Sequence, residues 1–312
     1  MENLKPLSLV YNQKSGFHAN HKDDFYEQIM TLFSRYGFEI QVFELNEQCP
    51  IDMLMPKILT RHKNSQNKGV IVGAGGDGTL NAIASYLMHT DIPLGILPLG
   101  TFNYVARVLD IPINLIRAAD VIATGQIKSV HVAKLNDYIY LNNASLGLYP
   151  LFIEQRERYN KYFGRFPLHA YTSAIDVLIR KYRSLKLEVT VDGVRYPVNT
   201  ALVFFGNNQL QLKELNLKIA DSVKAGKIGG VVVAQTDRLS LVKLLIKLVQ
   251  GDIEKANEIY SFSADHVEVT AKKGHKLYLA IDGELVEEHS PLRLSVEKNA
   301  LNIMVPHVTS SL

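Results

Sequence analysis

The 312-residue chain has a single cysteine, Cys49, so no internal disulfide framework can staple it, and such thiol usage fits a reducing compartment. No apolar run approaches the ~20 residues needed to span a bilayer. The opening MENLKPLSLVYN lacks the charged-then-apolar pattern of a secretory signal. These absences predict a cytoplasmic protein whose contact with a membrane is peripheral. The formal net charge is only +3, so bulk charge asks for no nucleic-acid partner. Internal repeats, low-complexity tracts and Pro/Ser-rich linkers are missing too, which predicts closely packed domains. There is no Walker A sequence, which excludes a P-loop. What remains is 47% hydrophobic and 21% charged, the balance of a folded globular chain, and its length suits two domains.

The first part alternates strand and helix. Leu7–Asn12 reads as a buried strand, and residues 22–36 place Phe25, Ile29, Leu32, Phe33 and Tyr36 on one helical face, with Gly37 as the cap. Phe38, Ile40 and Val42 alternate with polar residues as in a strand. Gly69–Gly73 is a further strand, followed by a glycine turn and a helix from about Thr79 to Met88. Pro93–Leu97 is another strand, and Asn114–Thr124 a helix stopped at Gly125. This order predicts a mostly parallel sheet covered on both faces. After Ser129 short alternating runs dominate: Val130–Leu135, Tyr138–Asn143, Leu185–Val191, Val194–Phe205, Gly230–Ala234, His266–Ala271 and Lys276–Ile281. Asp192-Gly193 is a strong type I′ hairpin signal. Helices at about 167–183 and 239–250 interrupt what reads as an antiparallel β-sandwich.

The segment Val70–Thr79, VIVGAGGDGT, carries the most chemistry. Its glycines allow backbone amides to approach phosphate oxygens, and the helix that follows aims its free N–H groups and positive dipole end at the same place. A carboxylate beside polyphosphate would repel it, so Asp77 makes sense holding Mg²⁺, directly or through water, or accepting hydrogen bonds that order the loop. Asn12–Gly16 follows the first strand and Leu99–Asn103 the strand ending at Leu97. All three loops belong at strand C-terminal ends, where open α/β sheets bind ligands. Asp282-Gly283-Glu284 follows the strand Lys276–Ile281. By itself it is a two-residue hairpin turn equivalent to Asp192-Gly193.

Asn12–Gly16, Gly75–Thr79 with Asn81, and Leu97–Asn103 through Ala106-Arg107 to Ile111-Pro112 resemble the diacylglycerol-kinase catalytic domain family, which includes bacterial lipid kinases and sphingosine kinases. The resemblance continues to Ile281–Glu284 and Leu301–Pro306 and so covers nearly the whole chain. It implies an α/β fold: a Rossmann-like nucleotide-binding domain over 1–129, completed by 300–312, then a β-sandwich lipid-substrate domain over 130–299. It implies transfer of the ATP γ-phosphate, with Mg²⁺, to a lipid hydroxyl such as that of diacylglycerol, within phospholipid metabolism and with the lipid in a cleft between the domains. Nucleotide binding falls to Asn12, Lys14, Ser15, Gly16, Gly75, Gly76, Asp77, Gly78, Thr79, Asn81, Gly100, Thr101 and Asn103, with Asp77 on the catalytic Mg²⁺. Asp282 and Glu284 take the place of the catalytic carboxylates, one as base and the other orienting it. A homodimer is compatible with this reading. A kinase for a soluble acceptor, as in NAD kinases, and a lipid- or nucleotide-binding protein with weakened activity are the alternatives.

Two positions depart from the family pattern. Tyr104 stands where many members carry an acidic residue after the Asn of the Gly-Thr-x-Asn loop. Ala225 stands where a carboxylate helps to bind a structural Mg²⁺, with Asp221 out of register, so no structural metal is expected. Gln209–Leu217 replaces a glycine-rich segment, which predicts an altered lipid pocket. For membrane contact, Arg156, Arg158, Lys161 and Arg165 interleave with Tyr159, Tyr162, Phe163 and Phe166. Leu239–Val249, with Lys243 and Lys247, is a second candidate, although two lysines at that spacing more often mark the solvent face of a core helix.

Overall fold

A computed structural model describes residues 4–12, 23–163, 184–234, 237–250, 256–271 and 276–307. Two compact units form, one from Met1–Val132 with Lys298–Leu312 and the other from Ala133–Glu297. In chain order the elements are β1 (Lys5–Asn12), α1 (Asp23–Arg35), β2 (Phe38–Leu45), α2 (Ile51–Asn64), β3 (Val70–Gly75), α3 (Asp77–Leu87), β4 (Leu94–Pro98), α4 (Tyr104–Val108), α5 (Leu115–Thr124) and β5 (Gln126–Leu135). There follow β6 (Tyr138–Tyr140), β7 (Asn143–Gly147), α6 (Leu148–Phe163), β8 (Leu185–Val191), β9 (Val194–Gly206), α7 (Gln209–Glu214), α8 (Ala220–Lys224) and β10 (Ile228–Ala234). The chain ends with α9 (Arg238–Gln250), β11 (Ile259–Ala264), β12 (His266–Ala271), β13 (Lys276–Ile281), β14 (Glu284–His289) and β15 (Leu292–Val305).

In the first unit the strands run parallel in the order β2-β1-β3-β4-β15. Val72 and Gly95 lie opposite each other in the β3–β4 ladder. A Cβ on Gly95 would come within 3.1 Å of both Ile122 and Val72, so this face lies directly under α5. One residue along, a Cβ on Gly73 would come within 2.8 Å of Leu80 in α3. Successive strand residues face opposite ways, so α3 and α5 cover the two faces of the sheet. Leu7, Leu9, Ile71, Leu80, Ile83 and Leu94 are fully buried between them.

The second unit is antiparallel, in the order β14-β13-β7-β9-β8-β12-β15, with β10 between β9 and β11. Alternation along β10 sorts its side chains. Val232 joins a core with Val203, Phe205, Val189 and Leu279, while Val231 and Val233 join an outer cluster with Leu212, Ile219, Val223 and Leu244. The segment 209–217 begins a helical cover on that outer face. Gly206 and Gly229 let it seat: a Cβ on Gly206 would meet Leu212 at 2.6 Å, and one on Gly229 would meet Val223 at 3.0 Å. The architecture is thus the one the sequence pattern predicts, a parallel α/β unit and an antiparallel β-sandwich unit.

Several local expectations need correction. The helix after the glycine turn starts at Asp77, not Thr79, with Gly76 as its N-cap, and Met88 lies beyond its end as the C-cap. Gly69 precedes its strand, in a turn at φ +61°. Tyr138–Asn143 is two strands, β6 and β7. Tyr36 follows α1 and is exposed. The helix expected at 167–183 lies outside the described residues. α2, α4, α6, α7, α8, β11, β14 and β15 have no counterpart in the sequence reading.

α2 is held to the sheet by a buried polar cluster. Lys68 O can only accept, so His62 Nδ1 carries the proton and donates to it at 2.5 Å, and Nε2 accepts from the Ser8 hydroxyl at 2.9 Å. Arg61 donates to Leu7 O and Ser8 Oγ, both at 3.1 Å, and to Glu39 O at 2.7 Å. Burial lowers the His62 pKa below 6.5, the nearby Arg61 charge lowers it further, and the hydrogen bond to Lys68 opposes both. The folded state therefore binds fewer protons than the unfolded state at pH values between its lowered pKa and 6.5. Stability rises with pH across that window and is lost as pH falls through it. Urea midpoints measured from about pH 7 down to pH 5 should fall, and His62→Gln should flatten the slope. An unchanged slope in the variant would exclude His62 as its source.

Candidate active site

At the C-terminal ends of the parallel strands, the turn after β3 and the turn after β4 touch backbone to backbone. Leu99 N–H donates to Gly75 O at 3.0 Å. A Cβ on Gly100 would lie 2.7 Å from the Cα of Gly76 and 2.9 Å from Asn103 Oδ1, and one on Gly75 would lie 2.7 Å from Thr79 Cβ. The glycines are therefore required by contact, apart from any ligand. Gly76, Asp77, Gly78 and Thr79 remain half-exposed at the start of α3, and Thr101 is exposed beside Gly100. Asn12 ends β1, the next strand in the sheet, where Tyr11 pairs with Ala74. Asn81 lies one turn into α3. Lys14, Ser15 and Gly16 lie outside the described residues.

Two of the expected ligand-binding side chains are engaged within the protein. Asn103, at φ +51°, accepts from Gly100 N–H at 2.8 Å and donates to Gly100 O at 2.9 Å, clamping its own turn closed. The Asp77 carboxylate accepts from Tyr104 N–H at 3.2 Å and from Val105 N–H at 3.0 Å. It thus caps the N-terminus of α4, whose own N-cap residue supplies no side-chain bond. Of the two roles open to Asp77, loop ordering is the one these contacts carry. An ionised carboxylate has about four lone-pair sites, so capping leaves room for a cation. The described residues contain no cluster of three His, Cys, Asp or Glu able to hold a metal unaided. The turn therefore fits a divalent ion that arrives with phosphate oxygens and takes one carboxylate from the protein.

Tyr104, where many family members are acidic, stacks on exposed Phe102 with centroids 5.6 Å apart and planes at 10°, and the Arg107 guanidinium lies 5.6 Å from the Tyr104 ring. No sequence signal for this stack was read beyond the missing carboxylate.

In the second unit Asp282 and Gly283 form a two-residue turn at φ +46° and +88°, matching Asp192 and Gly193 at +46° and +87°. As turns they are equivalent, as the bare sequence suggested. Asp192 accepts from His266 N–H at 2.9 Å and Asp265 N–H at 3.1 Å. Asp282 accepts three amides: Leu141 at 2.7 Å, and Asn142 and Asn143 at 2.9 Å each. Around it lies a buried asparagine cluster that sequence reasoning missed. Asn208 Nδ2 donates to Asn142 Oδ1 at 2.9 Å, Asn143 Nδ2 donates to Gln211 Oε1 at 3.0 Å, and Asn207 and Asn208 N–H both donate to Asn142 O. Paired asparagines at two strand ends, Asn142-Asn143 and Asn207-Asn208, were the available signal. Burial pushes the Tyr140 hydroxyl pKa up, and the charge of Asp282 adds to the rise.

Glu284 differs. Although exposed as a residue, its carboxyl is surrounded by enough protein for desolvation to raise its pKa above 4.5. No hydrogen bond to it forms among the described residues. Asp221, near the expected structural metal position, hydrogen-bonds Gln209 Nε2 at 2.9 Å and lies 3.8 Å from Lys213 Nζ, while Ala225 caps α8. In α9, Leu241 and Leu244 are buried, and Leu239, Val242 and Lys243 are exposed. The side chains of the 156–166 segment lie outside the described residues. No helix among the described residues is long and apolar enough to cross a membrane.

The chain thus joins a parallel sheet with paired glycine turns at its strand ends to an antiparallel sandwich. The diacylglycerol kinase catalytic domain family matches residues 6–135, and the YegS C-terminal NAD kinase beta sandwich-like domain matches residues 155–305. A diacylglycerol kinase of Staphylococcus aureus (strain bovine RF122 / ET3-1) is 26% identical over 290 residues, covering 90% of this chain and 86% of its own. The crystal structure of a diacylglycerol kinase from Bacillus anthracis str. Sterne superposes with a TM-score of 0.72 at 20% identity, covering 98% of this chain and 99% of the other. Residues 6–135 carry the diacylglycerol kinase catalytic domain and residues 155–305 the sandwich-like domain, and by class the protein is an ATP-dependent lipid kinase.

The Asp77 cap can be tested apart from activity. Replacing an N-cap acceptor by alanine costs roughly 0.5–2 kcal/mol, so Asp77→Ala should lower unfolding stability by about that amount. Amide exchange at Tyr104 and Val105 should accelerate selectively. Unchanged protection there would mean the carboxylate does not hold α4.

Proposed function

We propose that the protein transfers the γ-phosphate of ATP to the hydroxyl of diacylglycerol or a closely related lipid. The observation that carries the nucleotide half is the contact of two glycine turns at the C-terminal ends of parallel strands, with the amides that open α3 at the same place. The first unit is the nucleotide domain and the second the lipid-substrate domain. Asn12, Gly75–Thr79, Gly100 and Thr101 contact the nucleotide. Asn103 and Asp77 shape the turns, and Asp77 also contributes one ligand to Mg²⁺. When bound, Mg²⁺ neutralises charge on the β- and γ-phosphates. Exposed Leu239 and Val242 beside Lys243 support peripheral contact with an anionic membrane surface.

Proton removal from the acceptor alcohol falls to Glu284. A base needs open lone pairs and a pKa drawn towards the working pH, and among the described residues Glu284 has both. The oxygens of Asp282 already serve three backbone amides, so Asp282 holds the turn that presents Glu284. Incubating the purified protein with labelled ATP, Mg²⁺ and a panel of diacylglycerol, other lipid alcohols and NAD tests the function. Label should enter a lipid, and transfer to NAD alone would overturn the reading.

The two carboxylates should separate kinetically. Glu284→Gln should lower kcat by roughly 10²–10⁴-fold, the usual range for a lost general base, with little change in KM for ATP. Activity of the unmodified protein should fall on the acid side as Glu284 protonates, at a pH above the ordinary glutamate value of 4.5, and the variant should lose that limb. Asp282→Asn, which turns an amide NH₂ towards backbone N–H donors, should also destabilise the fold, by about 1.5–3 kcal/mol for a charged hydrogen bond. Retained kcat in Glu284→Gln with a stable but inactive Asp282→Asn would reverse the assignment.

A further inference from the structure

The second unit contains a cavity of about 500 Å³ that takes no part in the chemistry above. It opens where β9 changes neighbours. Residues 194–200 pair with β8, and residues 200–206 pair with β10, with an irregularity in register between Val233 and Ala234. Thr200 pins this change: its buried hydroxyl bonds Val233 O at 2.6 Å and accepts from Leu202 N–H at 3.1 Å. β8 and β10 overlap along β9 only at Thr200, which pairs with Leu185 on one edge and Ala234 on the other, and a wedge is left between them.

Strand alternation decides what lines the wedge. Val189 and Val198 form one wall, and Val232 and Phe262 the other. Gly230 is needed on that side, since any Cβ there would strike the Phe262 ring, 2.1 Å from its tip. Tyr196 and Tyr260, each two residues before an inward residue of its own strand, stand half-exposed at the mouth. Among the described residues no charged side chain lines the cavity, and the polar ones within it are the two tyrosine hydroxyls, Asn199 and Ser261. A ligand must therefore bury hydrocarbon inside and keep its polar end among the tyrosines. Asp282, Glu284 and the asparagines around Asp282 do not line the site. Gly206 pairs with Asn143, whose amide binds Asp282. The nearer wall, Val232, lies three residues along β10 from Gly229, the partner of Gly206, about 10 Å at ~3.3 Å per residue.

We infer that this wedge is a second lipid site, separate from the reacting carboxylates, that takes a single fatty acyl chain with its polar end at the Tyr196–Tyr260 mouth. The inference stands without the kinase reading, because it rests on the cavity alone. Titration of the full chain with cis-parinaric acid tests it by fluorescence. Binding should saturate at one site and be retained by Glu284→Gln. Ala234→Phe, which fills the wedge, and Tyr260→Asp, which sets a negative charge at the mouth against the probe's carboxylate, should each weaken binding at least tenfold. Circular dichroism verifies folding. Should Ala234→Phe misfold, the exposed Tyr260→Asp decides alone. Phosphotransfer to lipid by whichever pocket variants fold should match the unmodified protein. Absent or non-saturable binding, or pocket variants that bind normally, would overturn the site. Loss of binding in Glu284→Gln, or loss of phosphotransfer in the pocket variants, would overturn its separateness and make the wedge part of the acceptor site.

Discussion

Gly76 and Gly100 approach so closely that a methyl group on Gly100 would sit 2.7 Å from the Cα of Gly76, and the ligand-facing end of the first unit depends on that contact. Because the turns after β3 and β4 meet as bare backbone, Leu99 can donate to Gly75 O, and α4 begins close enough for Asp77 to reach its first amides. Asn103 completes the arrangement by returning its amide group to Gly100. A side chain at Gly100 would force the turns apart and unseat the Asp77 cap with them. The glycine-rich motif therefore has a packing requirement that would exist without any phosphate.

Three aspartates among the described residues use their carboxylates on main-chain N–H groups distant in sequence: Asp77 on α4, Asp192 on the start of β12, and Asp282 on the segment entering β7. The charge-assisted bond is the stronger kind, so each fixes a crossing of chain segments that ladders alone do not tie. What differs is the surroundings. Asp192 stands on an exposed hairpin, while Asp282 stands beside buried Asn142, Asn143 and Asn208 and the fully buried Tyr140. Two turns with the same residues and dihedral angles thus have different consequences, set by what the rest of the fold brings to them.

This also explains how far the sequence could be read. β8, β12 and β13 were legible to the residue because period-2 alternation survives wherever one strand face is buried. α2 was not, since its buried positions are only Met55, Ile58 and His62, and Pro56 stands inside it. The stripe is short, one member is polar, and that member is buried only because Ser8 and Lys68, distant or across a turn, satisfy it. α4 is five residues long and is capped by an aspartate 27 positions earlier, so its start signal is not local. The candidate site was legible as motifs but not as roles. Nothing in Gly-Asp-Gly or Gly-Thr-Phe-Asn tells that Asp77 and Asn103 turn inward to the backbone while Glu284 stays open.

The helices after β9 and the wedge share one origin in β9 itself. A strand of 13 residues is too long to keep the same neighbours throughout a twisted two-layer unit, so it leaves β8 and takes up β7 and β10 instead. On the outer side of the second stretch, Gly206 and Gly229 give α7 and α8 a flat seat, and the cluster around Leu212 and Val223 closes that face. On the inner side of the first stretch no helix among the described residues fills the gap, and Val198 and Phe262 remain only partly enclosed by the neighbouring core. Apolar surface left in that state persists only where nearby polar groups do not demand water, and the ladder amides along β8 and β9 are already paired with each other. The same change of strand partner thus seals one face of the unit and leaves an apolar opening on the other.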